Sequence, residues 1–175
     1  MITKNFKVFA STMRGRIYTG EETISIPVKV KDVTGNEYSS FYFITATPRL
    51  FGVDSSNATN LASTQSGTST QLIVGTNGNE PTENDYTIND IETLSAVGST
   101  TIVRTMDGDG YAITITRTLQ NTADSDITIK EIGLVKITPT VKSNSAKFLF
   151  AREVLPTPLV VPSGNSFTVS MVVKI

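Results

Sequence analysis

The amino-acid sequence predicts an all-β protein: an antiparallel β-sandwich or jelly roll with a short N-terminal helix or arm. Threonine and serine together make up a quarter of the 175 residues, and the branched Cβ of threonine favours the pleated surface of a sheet. From Thr23 onward, apolar and polar residues alternate with a period of two, and turn-forming segments separate these runs. No amphipathic helix is predicted between the strands, which favours antiparallel pairing.

The first segment, residues 1–20, is predicted to be a helix or an arm. Its large apolar residues are spaced by three and four, which places them on one face of a helix. Thr3 is a candidate N-cap and Gly15 a candidate helix stop. The same residues would suit an arm that lies across a neighbouring subunit, and the two interpretations stay open. The candidate assembly contacts are therefore Ile2, Phe6, Phe9 and Met13.

The remaining residues, 21–175, are predicted to form a single β-sandwich domain, because the whole chain has the length of one domain. Its first part is a predicted hairpin. Residues 24–31 alternate, with Ile24, Ile26, Val28 and Val30 on one face, and residues 38–47 return after a turn at 34–37. Pro27 has no amide proton to donate, which favours a sheet edge. The aromatic residues of the return strand and Phe51 are expected in the core.

A polar stretch at 54–71 predicts a long surface loop, and residues 72–74 a short strand. Strands follow at 100–106 and 111–119, joined by a turn at 107–110. In the next strand, Ile127, Ile129, Glu131 and Gly133 are predicted to share one face, with Thr128, Lys130, Ile132 and Leu134 on the other. A strand at 147–154, a loop at 156–165 and a last strand at 167–175 complete the prediction.

The composition excludes several kinds of chemistry. The chain contains no cysteine, histidine or tryptophan, which removes disulfides, thiolate and imidazole metal sites and histidine-based catalytic triads. No catalytic, cofactor-binding or metal-binding residue is predicted. A membrane span or a signal peptide is not indicated, because no apolar run is long enough. Nucleic-acid binding is disfavoured because the basic stretches are short and the net charge is −1.

One turn and one cluster of four acidic residues contain carboxylates that could serve as sites. Asp107 and Asp109 offer carboxylates, but a strand follows where a calcium loop needs further ligands, so a hairpin turn is the better interpretation. The acids of the connector that follows the short strand lie within one segment, whereas a catalytic pair faces across a cleft. They are predicted to be a solvated loop: Glu80, Glu83, Asp85 and Asp90.

Charge is segregated along the chain. Residues 1–16 carry basic but no acidic side chains, residues 50–103 carry acidic but no basic ones, and the stretch from 136 to the end is basic apart from Glu153. Two interpretations stay open. The charges are distributed among short loops, or they form two faces of opposite sign that would suit contacts between copies.

The C-terminal part resembles a known family through five phrases in order. They are Asn84-Asp85-Tyr86, Ile115-Thr116-Arg117-Thr118, the run from Asp126 to Leu134, the run from Phe148 to Val154, and the run from Val161 to Val169. Their order and spacing resemble small structural proteins of tailed bacteriophages, whose patterns include "EIGL", "FLLARDVL" and "VPAG.SLTV". The resemblance covers residues 72–175, and the first 70 residues fit only loosely.

The resemblance implies a virion component with no catalytic residues, made in the cytoplasm of a bacterial host. The expected function is a non-enzymatic structural role, as a head decoration or auxiliary capsid protein. Its expected partners are other virion proteins (the major capsid protein or neck and tail proteins) and copies of itself, with no nucleic acid, membrane or cofactor. The alternatives are a neck or tail structural protein and a receptor- or glycan-binding sandwich of a fibre.

Overall fold

The computed structural model describes residues 1–13, 22–43, 70–89, 91, 93–98, 100–107, 110–138 and 146–174. Within them the chain is mostly β, with one short helix at the N-terminus. The elements are α1 (Lys4–Met13), β1 (Glu22–Lys31), β2 (Glu37–Phe43), β3 (Thr70–Gly75), β4 (Leu94–Ala96), β5 (Thr101–Asp107), β6 (Gly110–Asn121), β7 (Ile127–Thr138), β8 (Ala146–Val161) and β9 (Ser166–Lys174).

The described strands form three antiparallel sheets. β1 pairs with β2, and β7 lies between β3 and β8. β6 pairs with β9 along one edge and with β5 and β4 along the other. The two larger sheets share one hydrophobic core. The sheet of β3, β7 and β8 contributes Leu72 and Phe148, and the sheet of β4, β5, β6 and β9 contributes Ile115 and Met171. The predicted all-β, sandwich-like fold with an N-terminal helix is confirmed.

β1 departs from the predicted alternation at its proline. Ser25 pairs with Ser40 and Val30 with Tyr38, so the register shifts across the residues that include Pro27. Ile26 and Val30 are buried, but Val28 is 42% exposed. The prediction that Val28 shares their buried face is wrong, because the irregular stretch turns it towards solvent. Tyr38 packs edge-on against Phe148, with 5.4 Å between ring centroids. Phe51, residues 44–50 and the side chains of 41–43 lie outside the described residues.

The face assignment predicted for β7 is also wrong for part of the strand. Ile129 pairs with Leu159 and Glu131 with Val154, so residues 155–158 of β8 lie opposite the single residue Lys130. This bulge shifts the alternation by one residue. Ile129, Ile132 and Leu134 therefore all belong to the main core. β8 also continues to Val161, so the prediction of a loop from residue 156 is wrong for residues 156–161.

The turn between β8 and β9 is fixed to the end of β6. Gly164 has a φ of +76°, a left-handed conformation that glycine adopts without strain. Its amide donates to the carbonyl of Asn121 at 3.0 Å. The buried side-chain amide of Asn121 in turn donates to the carbonyl of Val161 at 3.0 Å. The two sheets are thus joined at this corner.

No helix in the described part of the chain is long and apolar enough to span a membrane.

Candidate functional site

The connector at residues 76–89 is fixed to the face of β7 that points away from the main core. Leu134 belongs to that core, and neighbouring strand residues point to opposite faces. Its neighbour Val135 forms a second, smaller apolar cluster with Leu149 of β8 and Ile88 of the connector. Gly133 leaves room for this contact, because a Cβ there would lie 3.1 Å from Cδ1 of Ile88. The connector is therefore packed on the sheet.

Glu131 anchors the connector through its buried carboxylate. Its side chain is completely buried. Oε1 accepts hydrogen bonds from the backbone amides of Asn77 at 3.2 Å and Asn89 at 3.1 Å. Oε2 accepts from Nε of Arg152 at 2.6 Å. Oε1 of Glu131 thus holds the connector, and Oε2 holds β8.

Arg152 links the same carboxylate to two further points on the connector. One terminal nitrogen of its guanidinium donates to Oδ2 of Asp85 at 2.8 Å, and the other to the carbonyl of Asn79 at 3.0 Å. The side chain of Arg152 is 4% exposed and that of Asp85 is 21% exposed. We call Asp85, Glu131 and Arg152 the buried charge network. It joins β7, β8 and the connector.

The surroundings of Asp85 and Arg152 favour the charged form of each side chain. Burial alone would lower the pKa of Arg152, but its bonds to Glu131 and Asp85 outweigh burial and raise it. Burial alone would raise the pKa of Asp85, but hydrogen bonds from Thr82 and Arg152 outweigh it, so the pKa lies below its usual value. A general acid or base needs a pKa near the working pH. These shifts move both groups away from neutrality, as suits a structural ion-pair network.

The N-terminal segment adds to the free edge of β8. The nitrogen of Met1 donates to the carbonyl of Arg152 at 2.7 Å, and the amide of Arg152 donates to the carbonyl of Met1 at 2.9 Å. The amide of Thr3 donates to the carbonyl of Phe150 at 2.9 Å. Ile2 forms a bridge with Ala151 between them. Met1 to Thr3 therefore cover the stretch of β8 that carries Arg152.

Two of the four candidate assembly contacts, Ile2 and Phe6, pack against the chain itself. Phe6 is buried, and its ring lies edge-on to that of Phe150, 5.6 Å between centroids. Ile2 is half-buried against the core. Phe9 and Met13 lie in α1, but their side chains are outside the described residues. In this chain α1 packs in cis. The role of the four residues in assembly stays a prediction.

Thr3 occupies the position before α1, and its backbone carbonyl accepts from the amide of Lys7 at 3.2 Å. Its hydroxyl donates to the carbonyl of Leu149 at 2.6 Å, so this oxygen ties the helix to β8. The amide of Lys4 donates to the carbonyl of Glu83 at 2.6 Å, which satisfies a first-turn amide that the helix itself leaves unpaired. The predicted stop at Gly15 lies outside the described residues.

The acidic residues of the connector do not form a purely solvated loop. Glu80 is exposed, but Glu83 pairs with Lys7 at 2.6 Å and Asp85 pairs with Arg152. Asp90 lies outside the described residues. The prediction that Asp85 is solvated is wrong. Its carboxylate is partly covered through its contact with Arg152, which lies 67 residues further along the chain. The signal for the site was a charged residue inside each of two apolar strands, at Glu131 and at Arg152.

The segregated charges meet within the chain. Lys7 belongs to the basic N-terminal stretch and Arg152 to the basic C-terminal stretch, and both pair with acids of the connector. At the hairpin turn, Asp107 pairs with Lys174 at 2.8 Å, while Asp109 lies outside the described residues. Among the described residues, no group of three or more carboxylates is placed to hold a metal ion. These acids therefore serve contacts within the fold.

A cleft of about 300 Å³ lies between the start of α1, β1 and the connector. Lys4, Lys29 and Lys31 line it, together with Tyr86. The ammonium of Lys31 lies 5.2 Å from the centre of the Tyr86 ring, within range of a cation–π interaction. Lys29 pairs with Glu37 at 3.2 Å on the same wall. The aromatic ring of the cleft is thus engaged by a lysine of the same chain.

Lys136 is a buried lysine. Burial between the sheets lowers its pKa to about 8. Its ammonium lies 3.4 Å from the hydroxyl of Thr70 on the neighbouring strand. Threonine supplies a neutral acceptor at that contact, and burial of the ammonium is what lowers the pKa of Lys136.

The buried charge network unites three of the phrases that carry the phage resemblance. Asp85 comes from the Asn-Asp-Tyr phrase, Glu131 from the run ending at Leu134, and Arg152 from the run ending at Val154. In comparisons with known proteins the chain matches no family model, no curated protein and no solved structure.

Proposed function

We propose that the chain is a non-enzymatic structural protein of a tailed-bacteriophage virion, acting in many copies as a head decoration or auxiliary capsid protein. One observation carries the proposal. Three phrases that resemble the phage family meet at the buried charge network, where they fix the connector to the sandwich. The three residues that these phrases contribute share one physical task in the fold, which is to anchor the connector on β7 and β8.

The chemistry of the network supports a structural role over catalysis. Glu131 is completely buried and holds two backbone amides and Arg152. The pKa of Asp85 is lowered and that of Arg152 is raised, so both stay charged through the neutral range. A group that exchanges protons with a substrate needs access and a pKa near neutrality. The network offers a rigid scaffold for surfaces that bind neighbours.

Assembly in many copies also fits the stability that such a protein needs. Each contact in a lattice can be weak, because a copy held by several neighbours dissociates only when all contacts break together. The fold described here is held by a shared core and by ion pairs within the chain, without thiol or imidazole chemistry. Such a protein keeps its structure through changes of redox state outside a cell.

Immunogold electron microscopy of purified particles tests the proposal. Antibodies against the purified chain should label the head at many positions, and particles from a phage lacking the gene should stay unlabelled. Gold restricted to the neck or tail would replace the head assignment with the neck or tail alternative. Gold at fibre tips, together with glycan binding by the purified chain, would support the receptor alternative. Absence of label from intact and from opened particles would refute a virion role.

A further inference from the structure

β9 is an edge strand among the strands that the structure describes, and its pairing with β6 is regular. It pairs with β6 over nine residues, from Ser166 opposite Gln120 to Lys174 opposite Ala112, with no shift in register. No strand in the described part of the chain pairs with its other side. In an antiparallel ladder every second residue directs its amide and carbonyl away from the partner. The free side of β9 therefore presents a row of backbone donors and acceptors, which is a template for another strand.

The other edges of the two larger sheets carry features that hinder such pairing. The edge of β8 is covered by Met1–Thr3 near Arg152 and is interrupted further on by Pro156 and Pro158. The edge formed by β4 and β5 is broken between the two strands at Gly98, whose φ is +77°. β3 has six residues. β9 contains no proline, no glycine and one charged residue, Lys174. By these criteria β9 is the edge least protected against pairing.

We propose that β9 pairs with β9 of a second copy of the chain, antiparallel, about a two-fold axis at Ser170. Opposed residues of an antiparallel pair point to the same face of the sheet. The residues of β9 that are exposed in one copy must therefore lie opposite residues of β9 that are exposed in the other copy. Ser170 is the centre of the nine residues, and an axis there pairs all of them.

The charges of β9 are compatible with this register. With the axis at Ser170, Lys174 lies opposite the partner's Ser166, and the two lysines are at opposite ends of the pair. Thr168 lies opposite the partner's Val172, so no like charges face each other. The alternating buried residues of β9 belong to the main core, so pairing brings the cores of the two copies side by side within one continuous sheet.

This inference deepens the proposed function, because it assigns to one surface the self-contacts that a multi-copy protein makes. It rests on the proposed function only in the role it gives the pairing, which is a contact between copies in the virion. The pairing is a property of the purified chain and is tested without particles, so its failure leaves the virion proposal standing. Conversely, a dimer in solution from a chain that never enters a particle would support the surface and refute the virion role.

Single cysteines test the register, because the natural chain has none. Ser170→Cys places two thiols opposite each other, with Cβ atoms ~5 Å apart, and mild oxidation should convert most of the protein to a disulfide-linked dimer. Val172→Cys is the matched control on the same exposed face. Its two thiols would lie about 14 Å apart, beyond the reach of a disulfide. A mixture of Val172→Cys and Thr168→Cys should form the mixed dimer. If Val172→Cys by itself cross-linked as fully as Ser170→Cys, the register would be overturned.

Charge substitutions test the association itself by sedimentation velocity across a concentration series. The natural chain should sediment as a dimer, and Ser170→Lys, which brings two ammonium groups together at the axis, as a monomer with unchanged circular dichroism. Thr105→Lys on β5, exposed on the same face at the opposite edge, should remain dimeric. Mixing Ser170→Lys with Ser170→Glu should restore a dimer. A monomeric natural chain at every concentration, or dissociation by Thr105→Lys with Ser170→Lys still dimeric, would overturn the proposal.

Discussion

Replacing Arg152 with methionine removes the centre of the buried charge network while keeping an unbranched apolar side chain. Arg152 donates to Oε2 of Glu131, to Oδ2 of Asp85 and to the carbonyl of Asn79. Without it, Glu131 remains completely buried and keeps only the two backbone amides of Asn77 and Asn89. The connector also loses two of the contacts that hold it on β7 and β8. We expect a folded protein with a large loss of stability.

The magnitude follows from the burial of the pair. Breaking a buried ion pair by removing one partner costs ~3–5 kcal/mol, because the remaining charge is uncompensated. For a chain of this length each kcal/mol lowers Tm by ~2–4 °C. Arg152→Met should therefore lower Tm by about 6–20 °C. Adding Glu131→Gln removes the stranded charge, so the double variant should be more stable than the sum of the two single effects predicts.

Thermal and urea unfolding followed by circular dichroism measure this effect. Lys7→Met is the control, because the Lys7–Glu83 pair also ties the connector but both of its side chains are 58% exposed. Exposed ion pairs contribute little, and its Tm should stay close to that of the natural chain. A decrease of less than about 2 °C for Arg152→Met, under ~1 kcal/mol, would refute the structural role assigned to the network.

Further variants test other parts of the fold by the same unfolding measurements. A Cβ at Gly75 would lie 2.6 Å from a backbone carbonyl oxygen, so Gly75→Ala should cost ~1–3 kcal/mol, whereas Gly78→Ala, with ordinary contacts at 3.6 Å, should change little. Phe6→Ala should cost ~3–5 kcal/mol if α1 packs in cis in solution, and an unchanged Tm would contradict that packing. The lowered pKa of Asp85 means that its stabilisation is present above pH ~4 and is lost as the pH falls towards the folded-state value. Asp85→Asn should flatten this acid limb, and an unaltered limb would contradict the assignment. The pKa of Lys136 is about 8 in the fold against 10.5 ordinarily, so the unfolded chain binds more protons between these values and stability should rise with pH there. Lys136→Met should remove that slope, and a slope that persists would assign it to another group.

The strands with undisturbed alternation were predictable from the sequence. In β6 apolar residues alternate with threonines, and Ile113, Ile115 and Leu119 are all buried, because β6 pairs without register shifts on both sides. Where a bulge occurs, local alternation fails. The faces of Val28 and of the second half of β7 differ from the predicted ones, because at each irregular stretch four residues of one strand lie opposite a single residue of the other and the alternation does not continue across it.

The buried charge network could not be predicted from local sequence. Asp85 lies in a polar connector that reads as solvated, and only the fold brings Arg152 to it across 67 positions. Glu131 and Arg152 did carry a signal, since a charged residue inside an apolar strand has to find a partner when it is buried. What the sequence lacked was the register that aligns β7 with β8 and the path of the connector across them.

Quantitative mass spectrometry of purified particles tests the central claim most directly. Isotope-labelled peptides of the chain and of the major capsid protein would give the number of copies per particle. A multi-copy structural component should be present at a fixed ratio to the capsid protein, unchanged by repeated density-gradient purification. Loss of the chain during purification, or fewer than one copy per particle, would contradict the account.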